Sequence, residues 1–219
     1  MDYSSYKKEV FDTTLKLVDI DLIRLSSGNV SVRIPDGNVA ITPSGVPYDL
    51  MKPEDIVIMD LDGNKIEGPY KPSSEKALHN EIYKVRSDIQ AVVHAHSVYA
   101  IAFSSVEMEL PVMCIELLSV GAPIPVADYH CPGTAEVGLD SARHFTENPR
   151  LKGLLLKNHG MVAIGNSLYD AYQNAYKLET GAEIYHLALQ TGKKPVPLNE
   201  AQLAEIYDRY QKIKEKRNK

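Results

Sequence analysis

Two cysteines, Cys114 and Cys131, are all that 219 residues hold. They are too few for a disulfide framework, and the expectation is a cytoplasmic protein with reduced thiols. No apolar run approaches the roughly 18 residues that a membrane-spanning helix needs, so no membrane partner is expected. The opening residues, MDYSSYKKEV, lack the form of a secretory signal. An excess of basic charge is missing too. Lys and Arg number 24 against 29 Asp and Glu, a formal net charge of −5, which argues against a nucleic-acid partner. The one strongly basic stretch, 210–219, suits the C-terminal end of a helix. Neither an internal repeat nor a low-complexity segment is visible.

What remains is an ordinary globular composition, 44% hydrophobic and 24% charged. The length is enough for one sizeable core and slightly large for two, so a single domain over 1–219 is expected. Residues 3–25 place Val10, Leu15, Leu17, Val18, Leu22 and Leu25 at roughly helical spacing, which predicts a helix. Val30, Val32 and Ile34 alternate with polar residues and predict a strand. Pro35-Asp36-Gly37 is a turn signal before a returning strand over 39–42. Another strand covers 56–60. Over 74–86 the pattern turns helical, with Leu78, Ile82 and Val85 on one stripe and Ser73 or Ser74 able to cap the start. Residues 91–96 read as a strand, 98–105 as a short helix, 123–127 as a strand and 134–147 as a helix. Two short strands over 153–164 are joined at Asn158-His159-Gly160. Long helices over 168–191 and 199–216 follow. Mixed helices and strands imply an α/β fold, a sheet with helices packed on it.

Val92-Val93-His94-Ala95-His96 carries the strongest chemical signal. Side chains alternate along a strand, so His94 and His96 point the same way and can reach one metal. Zinc accepts three such nitrogens and keeps a fourth position for substrate. His159, on a tight turn beside an apolar strand, is the best candidate for the third ligand. Other two-histidine metal patterns fit poorly. One needs an Asp two residues after the second His, where Val98 stands; another needs an all-β pattern. His79, one turn after Glu75, reads as an orienting or structural residue. His144 and His186 read as surface or packing residues. His130, in a loop over 128–133, either reaches the site or does not.

Glu75 follows Ser73-Ser74 in the first turn of its helix. It is either a favourable charge at a helix N-terminus or an acid/base beside a bound phosphate. The free N–H groups of that helix start, with two serine hydroxyls, bind phosphate without Lys or Arg. Ser27-Gly28-Asn29 and Thr42-Pro43-Ser44-Gly45 are loops of the same character, where glycine lets the backbone approach a ligand. Singly, each reads as an ordinary turn; the combination is the informative feature.

Together, SSGNVSVRI, ITPSGVPYDL, KPSSEKALH, AVVHAHS, IPVADYHCPGT and LLLKNHGMVAIG resemble the class II aldolase/adducin family over nearly the whole chain. The resemblance implies a three-layer αβα fold with a central, mainly antiparallel sheet. It implies one zinc ion per subunit on His94, His96 and His159, and Glu75 as acid/base, also touching the metal when no substrate is bound. Asn29, Ser44, Gly45, Ser73 and Ser74 match the family's phosphate pocket, with Gly28 shaping it. Similar members are homotetramers with the active site at a subunit interface. The implied reaction cleaves a ketose 1-phosphate through a metal-stabilised enediolate. L-fuculose 1-phosphate is the first substrate to test and a 5-deoxypentulose phosphate the next. Epimerase, dehydratase and non-catalytic adducin-like readings are alternatives. Two tyrosines that the family uses on the aldehyde side fall on Ile115, shortly after a Pro-led strand that begins at Pro111, and on Ile213. Glu116 and Tyr129 are accessory candidates nearby, Glu116 being otherwise a strand-edge or interface residue.

Overall fold

Alternation of side chains builds the sheet of this protein, a computed structural model that describes residues 2–217. The side chains at 210, 211 and 213–217 lie outside the described residues, and with them Ile213 and most of the basic C-terminal stretch. The strands are β1 (Asn29–Arg33), β2 (Val39–Ile41), β3 (Val57–Met59), β4 (Lys65–Glu67), β5 (Ala91–Ala95), β6 (Val126–Ala127), β7 (Gly153–Leu156) and β8 (Gly160–Gly165). They form one sheet in the order β4-β3-β2-β1-β5-β8-β7-β6. Among the described residues only β6 and β7 pair in parallel; the other pairs are antiparallel. The α/β class is therefore the one the sequence pattern predicts, and the mainly antiparallel sheet the one the family resemblance implies. The inner strands β5, β7 and β8 are apolar but for His94 and buried on both faces, as a sheet between helical layers requires.

The helices are α1 (Ser4–Asp19), α2 (Lys76–Val85), α3 (Val98–Ser105), α4 (Ile115–Val120), α5 (Ala135–Glu147), α6 (Leu168–Gln190) and α7 (Glu200–Arg217). Helix α6 runs along β5 and β8 and touches α1, α3 and α4, while α2 and α5 pack as a pair. Where α5 packs against α2, Gly138 of α5 leaves no room for a side chain. A Cβ there would lie 2.5 Å from the Ala77 carbonyl oxygen and 2.9 Å from Glu81 Cγ. Gly138→Ala should push the two helices apart and cost about 1–3 kcal/mol, read as a lower urea midpoint at unchanged slope.

Several expectations are corrected. The first helix ends at Asp19, not at residue 25. Asp21 and Leu25 adopt left-handed backbone, φ 60° and 57°, which a helix cannot continue through. Leu22 and Ile23 are still buried, from an irregular segment, whereas Leu25 is 81% exposed. The second helix begins at Lys76, so Glu75 is its N-cap rather than a first-turn residue, and Val85 is half exposed rather than part of the buried stripe. The segment expected as a Pro-led strand from Pro111 instead enters α4 at Ile115. Strand β4 and helix α4 carry too few residues for periodicity to reveal them.

Candidate metal centre and anion pocket

Strand register assembles the centre. In β1–β5 pairing Asn29 lies opposite His94. In β5–β8 pairing Ala95 lies opposite Met161, so the β7–β8 turn carrying His159 arrives beside His96. Asn158 takes left-handed backbone at that turn, φ 55°, a conformation asparagine tolerates better than most residues. Glu75 comes in from the start of α2. The ligand atoms of Glu75, His94, His96 and His159 all lie within 4.8 Å of one another. His94 Nε2 is 3.0 Å from His96 Nε2 and 3.1 Å from Glu75 Oε2. His159 Nε2 is 2.9 Å from Glu75 Oε1.

These residues fit a divalent metal. The Nδ1–H of His94 donates to the Met161 carbonyl at 2.8 Å, which leaves Nε2 with its lone pair facing the cluster, the usual outer support of a metal-bound histidine. Two imidazole nitrogens 3.0 Å apart repel unless a proton or a cation lies between them. Tetrahedral bonds of about 2.0–2.1 Å put neighbouring nitrogens about 3.3 Å apart, close to what is seen. Glu75 Oε1 is buried without a hydrogen-bond partner, because its approach to His159 meets the distance but not the alignment of such a bond. Burial pushes the Glu75 carboxyl up, but the facing His94 and His159 outweigh it and hold the group well below the usual carboxylate range. Burial, with His94 and His159 adding to it, pushes the His96 imidazole down to about 4. It is therefore neutral, and able to ligate, near pH 7.

The cluster opens into a cavity of about 340 Å³, the size of a small-ligand site. Of the expected residues, Gly28, Asn29, Ser44, Gly45, Ser73, Ser74 and Glu75 line it, together with His96 and His159. No Lys or Arg is among its lining residues; serines, glycines and Asn29 make up its uncharged lining instead. The loops are laced together: Ser44 N–H donates to the Lys71 carbonyl at 3.0 Å and Ser73 N–H to the Thr42 carbonyl at 3.1 Å. Gly28, at φ 83°, lies so close to β5 that a Cβ would sit 2.7 Å from the His94 carbonyl oxygen, so only glycine passes. Tyr48 pins the same loop, donating its hydroxyl to the Gly28 carbonyl at 2.6 Å.

Two accessory candidates are not brought in. Glu116 is exposed on the first turn of α4 and Tyr129 is 57% exposed; neither lines the cavity. His130 pairs with Asp140 at 3.7 Å instead of joining the cluster. Ser26, Ser27 and Pro132 also line the cavity. The two serines lie beside the Gly28 motif that marks the loop, but Pro132 arrives from a distant loop with no local signal.

His79 is fully buried under the site. Burial pushes its imidazole down to about 3, with His94 adding to this and the Glu75 charge opposing it. An unfolded histidine titrates near 6.5. Between about pH 6.5 and 3 the unfolded chain thus holds a proton that the folded chain refuses, and stability falls as pH drops through that window, by at most about 1.4 kcal/mol per pH unit. In chelator-treated protein, urea unfolding over this range should show a shallower pH slope for His79→Gln, by up to one proton; equal slopes would contradict the assignment.

A model of the class II aldolase and adducin N-terminal domain matches residues 8–186. A 5-deoxy-D-ribulose 1-phosphate aldolase from Bacillus thuringiensis serovar kurstaki is 36% identical over 207 residues, covering 93% of this chain and 96% of the relative. An L-fuculose phosphate aldolase from Escherichia coli K12 is 32% identical over 212 residues, covering 96% of each. Among solved structures, an L-fuculose 1-phosphate aldolase superposes with a TM-score of 0.88 at 34% identity, covering 96% of this chain and 98% of the other.

Proposed function

Because the chain belongs to the class II aldolase and adducin family, we propose that it is a zinc-dependent aldolase. Its substrate in this reading is L-fuculose 1-phosphate or a similar deoxyketose 1-phosphate, cleaved reversibly into dihydroxyacetone phosphate and an aldehyde. The observation that carries it is the convergence of Glu75, His94, His96 and His159 at the wall of a cavity lined by serines and glycines.

In this reading His94, His96 and His159 hold the zinc ion, which three imidazoles with an adjacent carboxylate suit. When bound, the metal supplies Lewis-acid stabilisation of negative charge developing on the substrate's oxygens. The chain does the rest. Ser44, Gly45, Ser73, Ser74 and Asn29 hold the phosphate by hydroxyl, amide and backbone N–H groups, with no cationic side chain among the cavity's lining residues. That grip places the carbon next to the substrate carbonyl beside Glu75. Glu75 takes or returns a proton at that carbon, general acid/base chemistry with a carboxylate held ionised. The aldehyde half faces the open side of the cavity. We further propose that the protein is a homotetramer with this open side at a subunit interface, to which the exposed Leu25 and Tyr129 belong; light scattering on the eluted protein tests the stoichiometry.

The decisive experiment incubates zinc-loaded protein with dihydroxyacetone phosphate and a panel of aldehydes, lactaldehyde and acetaldehyde among them, and identifies the condensed sugar. A ketose 1-phosphate is expected. Consumption of a pentulose phosphate by epimerisation or dehydration, with no condensation, would replace the aldolase reading.

A further inference from the structure

We infer that His79 is a positioning residue: as its Nε2–H tautomer it locks the side-chain amide of Asn29 in one orientation, and so ties the Glu75 carboxylate to the anion pocket. This rests on the roles proposed above for Glu75 and Asn29.

A single file of hydrogen bonds runs from α2 through β1 to the site. Tyr83 hydroxyl and Ser31 Oγ are 2.8 Å apart. Ser31 Oγ and His79 Nδ1 are 2.7 Å apart. His79 Nε2 meets Asn29 Oδ1, and Asn29 Nδ2 donates to Glu75 Oε2 at 2.8 Å. The face of β1 that carries Asn29 and Ser31 meets the helix that carries His79 and Tyr83, and all four side chains are buried.

One end fixes the direction of the whole file. An ionised carboxylate only accepts, so Asn29 must turn its N–H toward Glu75 and its oxygen toward His79. His79 must then donate from Nε2. Its Nδ1 must accept from Ser31, whose oxygen in turn accepts from Tyr83. The reverse order would face Asn29 Oδ1 against Glu75 Oε2, two acceptors with no proton between them. A protonated His79 would donate from both nitrogens and turn the Ser31 hydroxyl from donor to acceptor; burial keeps the ring neutral. Asn29 has a second N–H, and Asn29 lines the cavity. A flip of the amide would take both the donor to Glu75 and the donor to the anion away together. Burying such a file of polar groups is costly unless every partner is met, and a phenyl ring at 79 would fill the same space without it.

Nitrogen-15 NMR of histidine-labelled intact protein reads the tautomer directly, with His79 assigned by its absence from His79→Gln. The Nε2–H form is expected near neutral pH; an Nδ1–H form overturns the inference. His79→Phe should keep its metal but slow solvent exchange of the dihydroxyacetone phosphate C3 proton by about 10-fold or more, the scale of a misplaced reacting group, and should weaken binding of inorganic phosphate. In His79→Gln the amide N–H can replace Nε2 toward Asn29, so both properties should stay within about threefold of wild type. Should His79→Phe not fold, His79→Asn takes its place, since its shorter amide reaches Ser31 but not Asn29. Wild-type exchange in the loss variant, or equal loss in His79→Gln, overturns the inference. A wild-type protein that exchanges no proton at all would sink the aldolase reading while the tautomer result still stands.

Discussion

Replacing His159 with alanine is expected to weaken metal binding by about 100-fold or more, since even outer-shell changes at metal sites cost 10–100-fold. His159 is the cleanest ligand to remove. It sits on the β7–β8 turn and is 9% exposed, whereas His94 is wholly enclosed and donates to the Met161 carbonyl, so its loss would disturb packing as well. Metal analysis after dialysis should find the wild type stoichiometric and His159→Ala depleted. Stability should follow. A ligand that binds only the folded state stabilises it in proportion to the logarithm of its affinity, so a 100-fold weaker site forfeits up to about 2.7 kcal/mol. Chelation should therefore lower the melting temperature of the wild type and leave His159→Ala nearly unmoved. A variant that still held one metal per chain would remove His159 from the ligand set.

Glu75→Gln should separate holding the metal from moving the proton. The amide has almost the shape of the carboxylate, and its oxygen can still accept from Asn29 Nδ2, the bond seen at 2.8 Å. Three imidazoles remain, so metal content should stay near stoichiometric. What disappears is the group that takes a proton from the carbon beside the carbonyl. Exchange of the dihydroxyacetone phosphate proton with solvent should fall by about 100-fold or more, the usual range for loss of a general acid/base. The measurement is isotope exchange by NMR under matched metal loading. Exchange at the wild-type rate would remove Glu75 from that role. Loss of metal along with exchange would mean that the carboxylate acts chiefly as a ligand.

The two variants probe groups of different legibility. His94 lies in β5 and His96 one residue past its end, and period-two alternation alone suggests that they share a face. Strong local patterns survive folding because burial acts on the same apolar side chains that create the pattern, so most strands and the long helix α6 stand within a residue or two of their expected bounds. The first helix is the counterexample. Its apolar spacing continues to Leu25, yet the chain turns left-handed at Asp21 and buries Leu22 and Ile23 without a helix. Burial rewards the side chain and is indifferent to the backbone that delivers it. Helix α4 offered only six residues, and the Pro-led strand that family likeness suggested from Pro111 gave no sign of it.

The serine and glycine loops around 28, 44 and 73 were visible as turns, but each alone is common. Their shared place at one cavity is held by backbone bonds between segments about thirty residues apart, Ser44 to Lys71 and Ser73 to Thr42. Glu116 and Tyr129 lie near a family motif in sequence, yet neither lines the cavity.

The sequence by itself determined the sheet-and-helix class and put His94 and His96 on one face, because these follow from local period. Only the tertiary structure decided that Asn29 stands opposite His94, that the β7–β8 turn carries His159 to His96, and that His79 lies beneath Glu75 through Asn29. Strand register and the seating of α2 on β1 set those contacts. Both are settled by packing between distant segments, which no local pattern encodes.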